Sequence, residues 1–212
     1  EEAEAAYRKL VELAPEAGDA HIELVRFLRT QDRAAEAEKA AQAGIEASES
    51  AALRLSYAVM LEQKGDFESA LDVYQELYEM RPQSFVVANN LASILIDRFP
   101  TDANIEKAYN VAKRLRESEV PQYQDTYGWV LYLRGEAEQA LRYLRPAAEA
   151  LPDVMLAQYH LGMAYAKANL NDEAVKTLKR ALELSDSDDT SEQAQTARET
   201  LETLQATATS GN

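Results

Sequence analysis

One layout returns along this chain about every 34 residues. A stretch with a small residue at its centre leads into a short turn, then into a second stretch built on alanine, and often to a proline. Tyr127-Gly128-Trp129-Val130-Leu131 leads to Gly135, Ala140, Ala147 and Pro152. Leu161-Gly162-Met163-Ala164-Tyr165 leads to Asn169, Ala174, Ala181 and Leu184. Such a period constrains the fold before any single helix is assigned. Each unit carries an apolar face that it cannot cover alone, so neighbours must stack and the array grows in one dimension. Apolar residues recur at three- and four-residue spacing throughout, which predicts helices and an all-α class.

Read as a ruler, the period divides the chain into an array over 1–188. Residues 1–17 form a half repeat, with Tyr7, Leu10 and Val11 on one face and Pro15 as the stop. Full repeats follow at 18–50, 51–84, 85–120, 121–154 and 155–188. The third unit breaks the period, with Arg98 to Asn104 read as an inserted loop before Ala108 and Ala112 resume the pattern. A capping helix is predicted over 189–206, with Thr190 and Gln193 spaced as a capping box and Ala194, Ala197 and Leu201 facing inward. Residues 207–212 are read as a disordered tail. Two antiparallel helices that approach closely need small side chains at the crossing. Gly128, Gly162, Ala58 and Ala92 supply them, with Ala70, Ala108, Ala140 and Ala174 opposite. Gly65, Gly135 and Asn169 suit a left-handed turn at the end of each first helix. Pro146 falls inside a second helix, where it predicts a lost hydrogen bond and a kink.

Spacing, small residues, turns and the prolines at 15, 82 and 152 together resemble the tetratricopeptide repeat family, over about 1–188. The aromatic usual early in the first helix is missing, its place taken by residues such as Gln124 and Gln158. The resemblance implies a right-handed superhelical solenoid whose concave groove, lined by first helices, binds peptides or protein surfaces. More narrowly, the stretch from Asp125 to Asp153 and on through Tyr159 to Ala168 resembles repeats of bacterial envelope proteins linked to exopolysaccharide export and exosortase sorting. Family members that clamp a C-terminal carboxylate use groove lysines and arginines. The matching positions here hold Leu55, Asn89, Gln122, Asp125 and His160, which argues against that activity.

Composition narrows the function further. A net charge of −15 argues against nucleic acid, which requires a basic patch, and against an anionic membrane surface. It fits either plain solubility or a basic partner. No apolar run approaches the roughly 18 residues of a membrane span, and no signal peptide is visible. Cysteine is absent, so thiolate chemistry is excluded. The two histidines, His21 and His160, lie more than four repeats apart, and His160 reads as a partly exposed helix residue. No phosphate loop and no serine–histidine–acid grouping is present, so the expectation is no enzyme, no cofactor and no metal. The chain starts at Glu1 within a repeat, which reads as a segment of a longer protein; bacterial cytoplasm and periplasm both stay open.

The expected function is therefore a non-catalytic scaffold for a protein or peptide. The alternative is a structural spacer or self-association module in a bacterial cell-envelope assembly; the chain itself is expected to be a monomer or a weak homodimer. By family analogy the groove positions include Arg26, Arg29, Leu55, Val59 and Glu62, then Asn89, Asn90, Ser93, Asp125, Trp129, Tyr132, Tyr159 and Met163, with the binding segment expected around Asn89–Met163. Trp129, the single tryptophan, falls off the inward set of Tyr123, Tyr127, Val130 and Leu131, so it reads either as an exposed interface anchor or as packing against the next repeat. Asn89 and Asn90 read either as donors and acceptors for a peptide backbone or as solvated helix residues.

Overall fold

The computed structural model describes residues 2–186 and 188–210, with side chains to 206. Among these residues there are helices and turns and no strands. Helices α1 (Glu2–Leu13), α2 (Gly18–Thr30), α3 (Ala34–Ala47), α4 (Ala51–Lys64), α5 (Phe67–Met80) and α6 (Phe85–Asp97) are followed by α7 (Asp102–Ala112). A short 3-10 helix (Lys113–Glu117) leads to α8 (Pro121–Leu133), α9 (Ala137–Ala150), α10 (Met155–Lys167), α11 (Asn171–Leu184) and α12 (Glu192–Ser210). The chain forms two compact units, Glu1–Ile94 and Leu95–Asn212, whose boundary falls inside α6.

The turns within repeats share one backbone device. Asp32, Gly65, Gly135 and Asn169 adopt φ of 56°, 85°, 89° and 58°, the left-handed conformation that turns the chain out of a first helix. Asparagine and aspartate tolerate it because a short polar side chain can bond locally. The third repeat is built differently, and its insertion is smaller than the sequence suggested. Asp102 to Asn104 belong to α7, because Thr101 caps that helix by accepting from the Asn104 amide at 3.2 Å. Asn104 Nδ2 also donates to the Phe99 carbonyl at 2.9 Å, which leaves only residues 98–101 as connection.

Close crossings explain the small residues. A Cβ added to Gly128 would lie 2.7 Å from Leu144 Cγ, and one added to Gly162 would lie 2.6 Å from Leu178 Cδ2. The nearest opposing groups are thus leucines one turn beyond Ala140 and Ala174, not those alanines themselves. Ala58, Ala70, Ala92, Ala108, Ala140 and Ala174 are all fully buried. Helix α9 runs on through Pro146, whose ring nitrogen leaves the Arg142 carbonyl without its helical partner.

The missing early aromatic has a structural counterpart. Helix ends leave carbonyls unpaired, and the fourth residue of several first helices reaches back to them. His21 Nε2–H donates to the Pro15 carbonyl at 2.8 Å, and Arg54 donates to the Ser48 carbonyl at 3.4 Å. Gln124 donates to the Ser118 carbonyl at 3.1 Å. Gln158, buried, donates to the carbonyls of Ala148 at 2.9 Å and Leu151 at 3.3 Å. A donor with reach replaces a ring, and in these four repeats it ties the first helix to the chain just before it.

In the first unit Leu24, Val25, Leu28, Ala37, Ala41 and Leu53 form one core cluster, with Tyr7 and Val11 of α1 packed against it. Helix α1 buries no residue fully, and Leu10 and Leu13 stay 50% and 71% exposed. Arg33, just before α3, holds α1 through Glu4 at 2.7 Å. In the second unit α12 packs on α10 and α11, burying Ala194, Ala197 and Leu201. Its cap is Ser191 rather than Thr190: the Ser191 hydroxyl accepts from the Ala194 amide at 3.3 Å, and the Ser191 amide donates to Asp189 at 2.8 Å. The helix reaches Ser210, beyond the start of the expected tail, and residues 211–212 lie outside the described residues.

Candidate functional site

Helices α8, α10 and α12, with the end of α6, enclose a cavity of about 270 Å³ in the second unit. Trp129, Tyr132 and Leu133 come from α8, and Tyr159, His160 and Met163 from α10. They face the cavity because they stand at the register that the crossing with α9 and α11 leaves over: Gly128 and Gly162 point to the partner helix, and their C-terminal neighbours turn away from it. Glu192, Gln193 and Thr196 of α12 close one side, and Ile96, Asp97 and Pro100 another.

One wall is built on a stack. The Trp129 ring lies 4.4 Å from Tyr132 at 8° and 4.1 Å from His160 at 15°. Two parallel rings so near one centroid would overlap if they shared a face, so the indole is sandwiched between them. Lys167 Nζ stands 4.8 Å from the Tyr132 centroid, and His160 Nδ1–H donates to Asp125 Oδ2 at 2.9 Å. The carboxylate only accepts, so this bond fixes a hydrogen on Nδ1 whatever the charge of the ring. A cation, a phenol, an indole and an imidazole thus follow one another in a single column, with the carboxylate bonded to the edge of the imidazole. Each aromatic pair is worth about 0.5–1.5 kcal/mol beyond the area it buries.

The walls are dry enough to shift ionisation. Burial pushes the Tyr159 phenol up to about 12, with Tyr132 adding to the rise and a hydrogen bond from Thr196 opposing it. Burial likewise raises Tyr132. Asp125 Oδ1 is buried without a hydrogen-bond partner, although its other oxygen holds His160.

Of the residues singled out from the sequence, Trp129, Tyr132, Tyr159 and Met163 line this one cavity, and Asp125 stands behind His160. Trp129 is not exposed: only 8% of it is accessible. His160 is buried too, contrary to the expectation of a partly exposed residue. Neither burial was legible from the helical register, because it depends on how α8 and α10 meet.

Asn89, Asn90 and Ser93 belong to the first unit, on α6. Asn90 Nδ2 donates to the Tyr74 hydroxyl at 3.3 Å, and that hydroxyl donates to Glu62 Oε2 at 2.6 Å. Asn89 Nδ2 donates to Asn90 Oδ1 at 3.3 Å, and Asn89 Oδ1 is buried without a partner. The two asparagines continue an internal polar chain, and burial, then the Glu62 bond, raises the Tyr74 phenol well above its ordinary value. The first unit has a cavity of its own, about 610 Å³, where α2 and α4 set Arg26 and Arg29 over Ile22, Leu55 and Val59.

His160, Glu192, Gln193 and Thr196 were not singled out as site residues. For His160 a signal existed, since the Asp125–His160 spacing is close to the period that stacks one first helix on the next. For the α12 residues there was none, as the capping helix follows no repeat register.

No group of three or more His, Cys, Asp or Glu side chains able to hold a metal ion occurs among the described residues. No helix among them is long and apolar enough to cross a membrane.

A search of curated proteins finds no match. Among solved structures, YrrB, described as a TPR protein with an unusual peptide-binding site, superposes with a TM-score of 0.66 at 16% identity, over 86% of this chain and 94% of that one. TTC0263, a thermophilic TPR protein of Thermus thermophilus, gives 0.58 at 20% identity, over 90% of this chain and all of the other. MamA of Desulfovibrio magneticus RS-1 gives 0.63 at 14% identity, over 82% and 97%. These likenesses show the fold, an all-α helical repeat. The tetratricopeptide repeat profile matches residues 1–52, 31–85 and 128–189, more than half of the chain, and the chain belongs to the tetratricopeptide repeat family.

Proposed function

We propose that this chain is a non-catalytic scaffold that holds a segment of a protein partner at the cavity between α8, α10 and α12. Tetratricopeptide repeats mediate protein–protein interaction, and that much follows from the family. The finer reading is carried by one observation: four residues selected from the sequence as groove positions, Trp129, Tyr132, Tyr159 and Met163, line a single cavity. The stack behind its wall is held at both ends, by Lys167 and by Asp125, so the surface is ordered before a partner arrives. Preorganisation of this kind lowers the entropy lost on binding.

The test is site-specific crosslinking. A photoreactive amino acid at Gln193, beside the cavity, should crosslink to a discrete partner segment in native lysate. The same group at Lys176, exposed on α11, should not. Equal labelling from both positions would sink the reading.

The alternative, self-association as a structural element, is favoured by Leu10 and Leu13 on α1, exposed by 50% and 71%. Light scattering across a concentration series distinguishes it. Growth in mass that Leu10→Glu with Leu13→Glu abolishes supports self-association through α1, and a constant monomer mass removes it.

A further inference from the structure

We infer that the cavity between α8, α10 and α12 is a pocket for a basic side chain of the partner, an arginine or a lysine. The inference rests on the scaffold reading above and adds the chemistry of the anchor. Two kinds of surface meet in the cavity. Apolar wall comes from Ile96, Leu133, Met163 and the rings of Trp129 and Tyr159, and polar wall from the carboxylates of Asp97 and Glu192 and their neighbours, with no lysine or arginine in the lining. Both acids are exposed, Asp97 with an interaction of its own within the protein, whereas Trp129 and Tyr159 are buried.

A side chain with a long aliphatic stem and a cationic head matches that division. The stem covers apolar wall and the head stays at the wet, negative rim. The volume of about 270 Å³ suffices for one such side chain and is small for a folded element. The sandwich sets a limit on the mode of binding. Both faces of the indole are already covered, by Tyr132 and His160, so an incoming cation does not stack on Trp129. It meets ring edges and carboxylates, and recognition is by stem burial and charge-assisted hydrogen bonds. The whole chain, at −15, adds a field that draws basic segments in.

Alternatives fit less well. An acidic side chain would meet two carboxylates and no cation in the lining. The α2–α4 cavity has the opposite character, with Arg26 and Arg29, and is the better match for an acidic group.

The protein carries its own reporter, since Trp129 is the single tryptophan and lines the cavity. Pentapeptides acetyl-Ala-Ala-Xaa-Ala-Ala-amide are titrated against the full chain, following the fluorescence and the indole N–H resonance of Trp129. The central residue is arginine, lysine, citrulline, norleucine or glutamate. The arginine and lysine peptides should perturb Trp129 saturably and bind about tenfold more tightly than the citrulline and norleucine peptides. Added salt should weaken them selectively. Glu192→Gln keeps the Ser191 cap and should reduce arginine-peptide affinity about three- to tenfold, while norleucine-peptide affinity stays the same. Equal binding of the citrulline and arginine peptides overturns the basic-anchor inference and leaves the scaffold reading standing. If no peptide of the series, and no crosslinked partner segment, perturbs Trp129, both fall.

Discussion

In the first unit the fifth, ninth and twelfth residues of α2 are Ile22, Arg26 and Arg29, and in the second the same places on α8 hold Asp125, Trp129 and Tyr132. Both sets belong to first helices, and all of these residues except Asp125 line a cavity. The α2–α4 cavity is the larger, about 610 Å³ against about 270 Å³, and its charged groups are guanidiniums on an apolar floor. Arg26 pairs with Glu23 at 2.8 Å with most of its surface in water, so that pair contributes little to stability. The smaller cavity is walled by an aromatic column and rimmed by carboxylates. The repeat supplies the register, and the residues placed on it decide whether a position becomes surface or wall. A long arginine in this register stays solvated, while Trp129 has a neighbouring imidazole to stack on and is drawn into the interior.

Five measurements test that contrast. The largest effect belongs to Trp129→Ala, which removes the middle of the column and should cost about 3–5 kcal/mol in urea unfolding. If it proves as harmless as a surface change, the second cavity is no more a structural wall than the first. Asp125→Asn leaves His160 with a neutral partner and should cost about 1.5–3 kcal/mol. His160→Gln combined with it should show strong non-additivity in a double-mutant cycle, because the two share one bond. Gly162→Ala gains up to about 1 kcal/mol of helix propensity but forces a methyl into Leu178, and should be destabilising by about 1–3 kcal/mol before that gain. A cost for Gly162→Ala combined with Leu178→Ala that is smaller than the sum of the two single costs would confirm the clash.

The fourth measurement is alkaline titration. Burial pushes the phenols of Tyr127 and Tyr159 up to about 12, above the ordinary 10.0. The folded state therefore favours the protonated ring. Its contribution is intact below pH 10 and is lost as pH rises towards 12. Phenolate absorbance should show a fraction that ionises late, reduced by Tyr159→Phe; a single uniform titration would contradict the dry wall. The smallest effect is Arg26→Ala with Arg29→Ala in the α2–α4 cavity, which should change stability by less than about 0.5 kcal/mol per site. A larger loss would mean that the first cavity, too, is structural.

Much of the repeat is legible in the chain itself. Gly128 and Gly162 mark close crossings, and the close approach of Leu144 and Leu178 bears that out. Gly65, Gly135 and Asn169 mark left-handed turns, and each has positive φ. The inserted connection starts where the sequence places it but is three residues shorter, since the Thr101 cap starts α7 at Asp102. Ser191, not Thr190, caps α12, a shift of one residue that spacing alone does not resolve. Of the candidate site, the cavity-lining residues of α8 and α10 were largely legible, because their register follows from the helical period. Glu192 and Thr196 were not, since they meet the cavity only through the docking angle of α12.

By itself the sequence determined an all-α stack of two-helix repeats, because a period near 34 with small residues at fixed places admits one way of burying its apolar faces. It also determined which residues share a first-helix face. Only the tertiary structure decided that Trp129 is a buried layer between Tyr132 and His160 rather than an exposed anchor, and that Asp125 serves His160. Periodicity fixes direction around one helix axis. Burial and partnership depend on the distance and angle to the next helix, and those are set by packing among residues far apart in the chain.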